Sequence, residues 1–307
     1  MTTNETVSVD YVTLDVFTDR AFGGNPLAVV LDARDLADAE MQAIATEFNY
    51  SETTFLLPPA DARHTAQVRI FTPVKELPFA GHPNVGTGFV VAGLGTLFGR
   101  PAGESLLFEE KAGLVPIAIL KQNGAIIGAR LTAPQPLFRG SGVAAEIAAE
   151  CLGLAATDIA SERHPPMIAS VGLPFLFVEL RSRAALAKCR PASSAFASHL
   201  PIEGAGAIHV SAREGTNVHA RVFADHGMII EDPATGSANV AYAALSADLS
   251  PEPDADLALE IVQGVEMGRP SRLSARAVKR AGKVEKAEIG GRCVGVMQGR
   301  LSFARSR

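Results

Sequence analysis

The segment from Arg69 to Gly93 reads RIFTPVKELPFAGHPNVGTGFVVAG, and far downstream Arg221 to Leu245 reads RVFADHGMIIEDPATGSANVAYAAL. A shift of 150 positions lays Gly86-Thr87-Gly88 on Gly236-Ser237-Ala238, Pro83 on Pro233 and His82 on Asp232. The openings Arg69-Ile70-Phe71 and Arg221-Val222-Phe223 match two residues out of phase. A second echo, Gly24-Asn25-Pro26-Leu27 against Gly172-Leu173-Pro174-Phe175, is offset by 148. Two copies of one unit are therefore expected, each with a Pro-x-x-Gly turn ahead of an apolar segment; a repeat of this kind governs the whole fold.

Each unit is strand-rich around one very apolar helix, expected over Thr87 to Leu97 in the first and Asn239 to Leu249 in the second. A helix apolar on every face must be buried on every face, and a curved sheet wrapped around it meets that need. The regular strand–helix alternation of a doubly wound sheet is missing. The expected fold is α+β, two pseudo-symmetric barrel-like units each around a central helix. Ala133 to Pro136 (APQP) reads as the break, giving a first unit over residues 1–132 and a second over 133–297, with a last strand at about 298–307 returning to the first. Further helices are expected over Asp35–Glu47, Ala144–Leu154 and Ser193–His199.

Composition narrows the function. Hydrophobic residues make up 47% of 307 residues, enough for real cores. A net charge of −5 and the absence of Trp argue against a nucleic-acid partner. Cys151, Cys189 and Cys293 are odd in number and far apart, which suits a reducing compartment. The opening MTTNETVSVD shows no basic stretch and no apolar core of a secretory signal. No apolar run reaches about 18 residues, so no membrane span is expected and the cytoplasm is the default. Beyond His82, the histidines at 64, 164, 199, 209, 219 and 226 show no metal-ligand spacing, so no metal site is expected.

Several residues have the chemistry of an active site. Helix N-termini leave backbone N–H groups unpaired and attract anions, so Gly236 and Ser237, and Thr87 in the first copy, are read as cap and ligand donors. If the two units face one another, His82 and Asp232 converge on one cleft from opposite walls, which suits proton chemistry on a small molecule. Glu231 reads as a helix-dipole partner. Glu52 lies in Asn49-Tyr50-Ser51-Glu52-Thr53-Thr54-Phe55, at the entry to an apolar strand. It is read either as a buried acid with a raised pKa, fit to take and return a proton, or as an edge-strand residue facing water. Arg269, in Gln263 to Ser271, is read as a substrate-carboxylate ligand or as a partner of Glu266.

The segments DVFTDRAFGGNPLAVV, NYSETTFLL, FAGHPNVGTGFVVA, EDPATGSANVAYA and QGVEMGRPS together resemble the phenazine-biosynthesis PhzF-like family, over about residues 11 to 302. The resemblance implies the diaminopimelate-epimerase-like fold, a homodimer and no cofactor. It implies an isomerase that moves a proton between carbons of trans-2,3-dihydro-3-hydroxyanthranilate or a similar carboxylate-bearing molecule. Residue by residue it gives the proton transfer to Glu52, with His82, Asp232 and Ser237 orienting the substrate. The candidate catalytic residues are thus Glu52, Asp232 and His82, and the candidate substrate-binding residues Ser51, Gly81, Gly236 and Ser237. Related racemases use two thiols, and neither 79–88 nor 231–238 contains a cysteine. The alternatives are a non-thiol amino-acid epimerase or racemase, and a non-catalytic small-molecule binder on the same scaffold.

Overall fold

The structure is a computed structural model and describes residues 6–225 and 229–305; His226 lies outside the described residues. Eight strands close a ring in the first half. Thr6–Val16 pairs antiparallel with Asn25–Val30, which runs parallel to Glu52–Leu57. That strand continues antiparallel to Ala66–Phe71, parallel to Ser105–Glu110, and antiparallel through Gly113–Gln122 to Ala125–Thr132. The long strand Lys283–Ala304 closes the ring against both Ala125–Thr132 and Thr6–Val16. The second half repeats the same succession of directions through Phe138–Gly142, Met167–Ser170, Pro174–Leu180, Ala207–Glu214, Asn217–Asp225, Ala255–Gln263 and Ser271–Arg280, and ends on the first part of Lys283–Ala304.

The last strand belongs to both rings. Its residues 283–290 pair with Ser274–Arg280, 288–292 with Gly128–Thr132, and 293–304 with Thr6–Val16. The pairing with the first half thus begins ten residues earlier than the position about 298 read from the sequence. Inward and outward residues alternate as a barrel wall requires: in Ser271–Arg280, Leu273, Ala275 and Ala277 are buried and the intervening residues face outward.

A central helix fills each ring: Gly81–Leu94 in the first and Gly236–Asp248 in the second. The first eight residues of the former and eleven residues of the latter are buried. Burying side chains such as Val85, Val91, Val240 or Leu245 is worth about 1.5–3 kcal/mol each. From inside the second barrel Lys279 donates from Nζ to the carbonyls of Asp248 (2.9 Å) and Ser250 (2.8 Å), placing a cation at the negative end of that helix. The smaller helices are Asp38–Phe48, Ala145–Leu152, Arg183–Lys188 and Ser193–His199.

Both central helices start earlier than the sequence suggests, and this changes the alignment of the repeats. Gly86-Thr87-Gly88 is not a turn but lies inside the first helix. Its glycines fit there because the wall presses close: a β-carbon on Gly86 would stand 2.5 Å from Leu27 Cδ2, and one on Gly88 2.6 Å from Ile117 Cγ2. Thr87 does not cap; its hydroxyl meets that of Thr54 at 2.9 Å within the core. The residues preceding the helices, Ala80 and Thr235, make no side-chain cap bond, and Ser237 is the second residue of its helix rather than its cap. The true offset is 155, which matches Pro78, Gly81, Asn84 and Val85 to Pro233, Gly236, Asn239 and Val240. Asn84 and Asn239 each donate to the carbonyl four residues back, of Ala80 (2.9 Å) and Thr235 (3.0 Å). His82 therefore corresponds to Ser237, and Asp232 to Leu77; the equivalence of His82 with Asp232 is overturned.

The two helix N-termini abut. A β-carbon on Gly81 would lie 2.3 Å from Ser237 N, and one on Gly236 2.9 Å from Gly81 Cα. Both obstacles are backbone and cannot rotate away. Replacing Gly81 by Ala is expected to cost at least the roughly 1–3 kcal/mol of an overpacked core, read as a lower melting temperature, with the two helix ends pushed apart.

Candidate active site

The parallel strands Asn25–Val30 and Glu52–Leu57 begin at the same rim of the first barrel, with Leu27 beside Glu52. The N-terminus of the first central helix opens at that rim and brings His82. From the second half come Asp232, at the end of Ile229–Asp232, and the loop Pro233–Thr235. The structure brings Glu52, His82, Asp232, Ser51, Gly81, Gly236 and Ser237 to one place, the seam where the two helices meet.

Asn25, absent from the sequence-derived set, joins them. Its Nδ2 lies 2.8 Å from Asp232 Oδ1, 2.9 Å from the Ala234 carbonyl and 3.2 Å from His82 Nδ1. It is fully buried and bridges the halves. The clue was the Gly24-Asn25-Pro26 echo, which marked a turn but carried no chemical signal. Two further residues were missed. Thr235 donates to Asp232 Oδ2 at 2.5 Å, and Gln263 donates to the Asp232 carbonyl at 2.8 Å and Thr235 Oγ1 at 3.0 Å. Ser51 Oγ reaches Asp232 Oδ1 at 3.3 Å. Asp232 is thus a carboxylate held by Asn25, Ser51 and Thr235.

Glu52 is different. Its Oε2 is buried with no hydrogen-bond partner and lies 3.5 Å from His82 Nδ1. The side chain is 16% exposed, so the edge-strand reading fails. Burial, with the nearby Asp232 charge adding to it, pushes the Glu52 carboxyl well above the usual carboxylate range. His82 is 3% exposed, and burial pulls its imidazole down to about 3 against the opposing effect of the Pro26 backbone. Its Nδ1 lies 3.2 Å from Asn25 Nδ2, whose two hydrogens face the closer oxygens of Asp232 and Ala234, and its Nε2 is buried and has no protein partner.

The helix ends supply the third element. Neither helix has an acidic residue in its first turn, and neither has a side-chain cap. Two positive dipole ends and their unpaired N–H groups therefore converge beside Glu52, a setting that favours a bound carboxylate.

Other candidates fall elsewhere. Arg269 pairs with Asp15 at 2.6 Å and donates to the carbonyls of Gly23 and Gly24, both at 2.8 Å. It pins the loop that ends in Asn25, neither binding at the site nor pairing with Glu266. Glu231 is tied to Arg221 by two bonds of 2.8 and 2.7 Å. The three cysteines are buried outside the site, with burial pushing the Cys151 and Cys189 thiols up to about 11 and about 12. Among the described residues no cluster of three or more His, Cys, Asp or Glu side chains is placed to hold a metal ion. Two open clefts of about 460 Å³ lie in the second half, one by His164 and Glu179 and one by Cys189 and Arg221; neither is lined by Glu52, His82 or Asp232. No helix among the described residues is long and apolar enough to cross a membrane.

A free buried carboxyl, a neutral imidazole and an anion-attracting seam between two like barrels define an enzyme of the acid–base isomerase class. The comparisons with known proteins agree. A family model for phenazine biosynthesis-like proteins matches residues 14–299. An uncharacterized isomerase of Mesorhizobium japonicum is 38% identical over 95% of this chain and 98% of its own. The trans-2,3-dihydro-3-hydroxyanthranilate isomerase of Pseudomonas chlororaphis is 36% identical over 92% and 95%. Among solved structures, a PhzF-family phenazine biosynthesis protein of Bacillus anthracis has a TM-score of 0.82 at 27% identity, covering 96% of this chain and 99% of its own. A hydroxyproline epimerase from Agrobacterium vitis, at 14% identity, shares the fold with a TM-score of 0.65 over 97% and 93%. The chain belongs to the phenazine biosynthesis-like family, is an isomerase, and has the diaminopimelate-epimerase-like fold.

The depressed His82 pKa has a measurable consequence. Unfolded histidine takes up a proton below about 6.5, whereas the folded ring stays neutral down to about 3. The stability it contributes is therefore present above about 6.5 and is lost as pH falls through that window. Nitrogen NMR is expected to show His82 in its neutral form at about pH 5, and His82→Gln is expected to flatten the acid-side loss of melting temperature.

Proposed function

We propose that this enzyme moves a proton between two carbons of a small carboxylate-bearing molecule of the trans-2,3-dihydro-3-hydroxyanthranilate type, with Glu52 as the single base and acid. The observation that carries the reading is the buried Glu52 Oε2, which has no partner and stands beside a neutral imidazole. A carboxyl whose pKa is raised is a stronger base than an ordinary carboxylate, which suits it to take a proton from carbon and return it. The substrate carboxylate sits at the Gly81 and Gly236 helix ends, with Ser237 at hand. His82 offers its unpartnered Nε2 to a hydrogen-bonding group of the substrate. Asp232, held by its donors, accepts from an amino or hydroxyl group and fixes the ring over Glu52. The reading includes a cytoplasmic homodimer, the dimer being what the family resemblance implies.

A two-base epimerase needs a second free acid or base opposite Glu52. Asp232 is engaged by Asn25, Ser51 and Thr235, which favours one base over two. The cysteines are too far into their own cores to act as a thiol pair.

The test is NMR with trans-2,3-dihydro-3-hydroxyanthranilate in deuterated buffer. Wild type is expected to convert it with deuterium entering at the new carbon. Glu52→Gln is expected to lose about 10²–10⁴-fold in rate while remaining folded. Because the raised Glu52 pKa costs stability increasingly as pH rises above about 4.3, the same variant is expected to melt higher than wild type at alkaline pH. Unchanged turnover in Glu52→Gln would remove Glu52 from the mechanism. Deuterium confined to one inverted carbon of an amino-acid substrate would favour the epimerase instead, and tight binding without exchange would leave a binder.

A further inference from the structure

A second buried acid lies in the first barrel, away from the seam. Hydrogen-bond register fixes its counterpart in the second. Ala66 pairs with Phe108 and Gln67 with Glu109 in one barrel, and Val218 with Ile261 and His219 with Val262 in the other. The Arg-x-Phe strands align through Arg69 and Arg221. Each guanidinium lies over the ring two residues on, Phe71 at 5.1 Å or Phe223 at 4.8 Å, and each pairs with a glutamate, Glu76 or Glu231. Ala66 is therefore equivalent to Val218, Phe108 to Ile261, and Glu110 to Gln263. Leu106 and Phe108 in one strand, and Leu259 and Ile261 in the other, are buried on the face that points to the central helix. Glu110 and Gln263 are the last inward positions of their strands.

Gln263 is fully satisfied. Its Oε1 accepts from Asn239 Nδ2 at 2.8 Å and Thr235 N at 3.2 Å, and its Nε2 donates to the Asp232 carbonyl and Thr235 Oγ1. It ties the strand end to the entry of the second helix. At the matching place in the first barrel Asn84, equivalent to Asn239, is the polar neighbour of Glu110. Yet both Glu110 oxygens and Asn84 Oδ1 are buried without a bond of normal geometry. A carboxylate there would be a buried charge with no cation, an arrangement that costs several kcal/mol. The charged groups on the elements packed against it are otherwise engaged or neutral. Arg69 and Lys111 both bond Glu76, Lys121 bonds Glu104, and His82 is uncharged.

We infer that Glu110 works as a neutral carboxylic acid in the place of Gln263, accepting from Asn84 and donating to the carbonyl of Leu77, and so positions the helix entry that carries Gly81 and His82. Its positioning role rests on the reading of the site proposed above; its protonation does not. Burial pushes the Glu110 carboxyl well above its usual range, with Asn84 opposing in part. The unfolded chain ionises this group above about pH 4.3 while the native barrel keeps the proton. Native stability must therefore fall with rising pH between that value and the native pKa of Glu110.

The experiment uses Glu110→Gln and Glu110→Ala in the full chain. Melting temperatures are taken from about pH 5 upward, alongside infrared spectra, the His82 ring-nitrogen resonance and turnover of trans-2,3-dihydro-3-hydroxyanthranilate. Glu110→Gln is expected to match wild type at the acid end and to melt higher by a margin that grows with pH. It should lose a protonated-carboxyl band that Glu52→Gln retains, and keep both the His82 resonance and turnover. Glu110→Ala is expected to shift the resonance and to lose about a hundredfold in rate, the scale of a small misplacement of catalytic groups. A pH-independent drop in melting temperature for Glu110→Gln would overturn the neutral acid. An unmoved His82 resonance in folded Glu110→Ala would overturn the positioning role. Absence of turnover in wild type would count against the proposed substrate alone, because the melting, infrared and resonance measurements do not need it.

Discussion

Two helix N-termini meet head to head inside this protein, at Gly81 and Gly236, and the rest of the architecture answers to that contact. Like dipole ends repel, and no side chain of either helix caps them. The ends are held together by the barrels around them, which cannot drift apart because one strand, Lys283–Ala304, is built into both. Asn25 and Arg269 fasten the seam from either side, Asn25 reaching Asp232 and Ala234, Arg269 reaching Asp15, Gly23 and Gly24. The seam is thus an electrostatic tension that the scaffold maintains, and an anion placed there would relieve it. A preorganised arrangement of this kind needs no rearrangement when charge develops.

The acids of the protein divide by their partners. Among the described residues Asn25, Ser51 and Thr235 donate to the Asp232 carboxylate. Glu52 has no donor on Oε2 and keeps its proton affinity high. Glu110 is buried like Glu52 but faces the interior of one barrel rather than the seam, beside an asparagine that in the other barrel meets a glutamine. Residue type alone does not separate these roles; the number of hydrogen-bond donors within reach does. The pseudo-symmetry makes the comparison unusually direct, since each half supplies a reference for the other.

The sequence exposed the duplication, the two buried helices and the strand-rich wall, because apolar periodicity and turn residues are local signals. It also pointed to Glu52, since an acid among β-branched and apolar residues departs from the pattern around it. It misaligned the repeats by five residues. Gly86-Thr87-Gly88 looks like a turn, and only the closeness of Leu27 and Ile117 explains why glycines stand inside a helix there. His82 and Asp232 converge as expected, but through Asn25 and not through equivalence. Arg269 illustrates the same limit: its partners Asp15, Gly23 and Gly24 lie some 250 residues away in the chain.

What the sequence by itself determined is the inventory: two copies of one unit, an apolar helix in each, and acids and a histidine of the right chemistry near their starts. Only the tertiary structure decided which of those groups are free to react. Protonation depends on burial and on donors within about 3 Å, and those donors come from strands and loops whose separation along the chain carries no trace of their closeness in space. The neutral His82, the unpartnered Glu52 oxygen and the anchored Asp232 are products of that packing, as is the register that makes Glu110 the counterpart of Gln263.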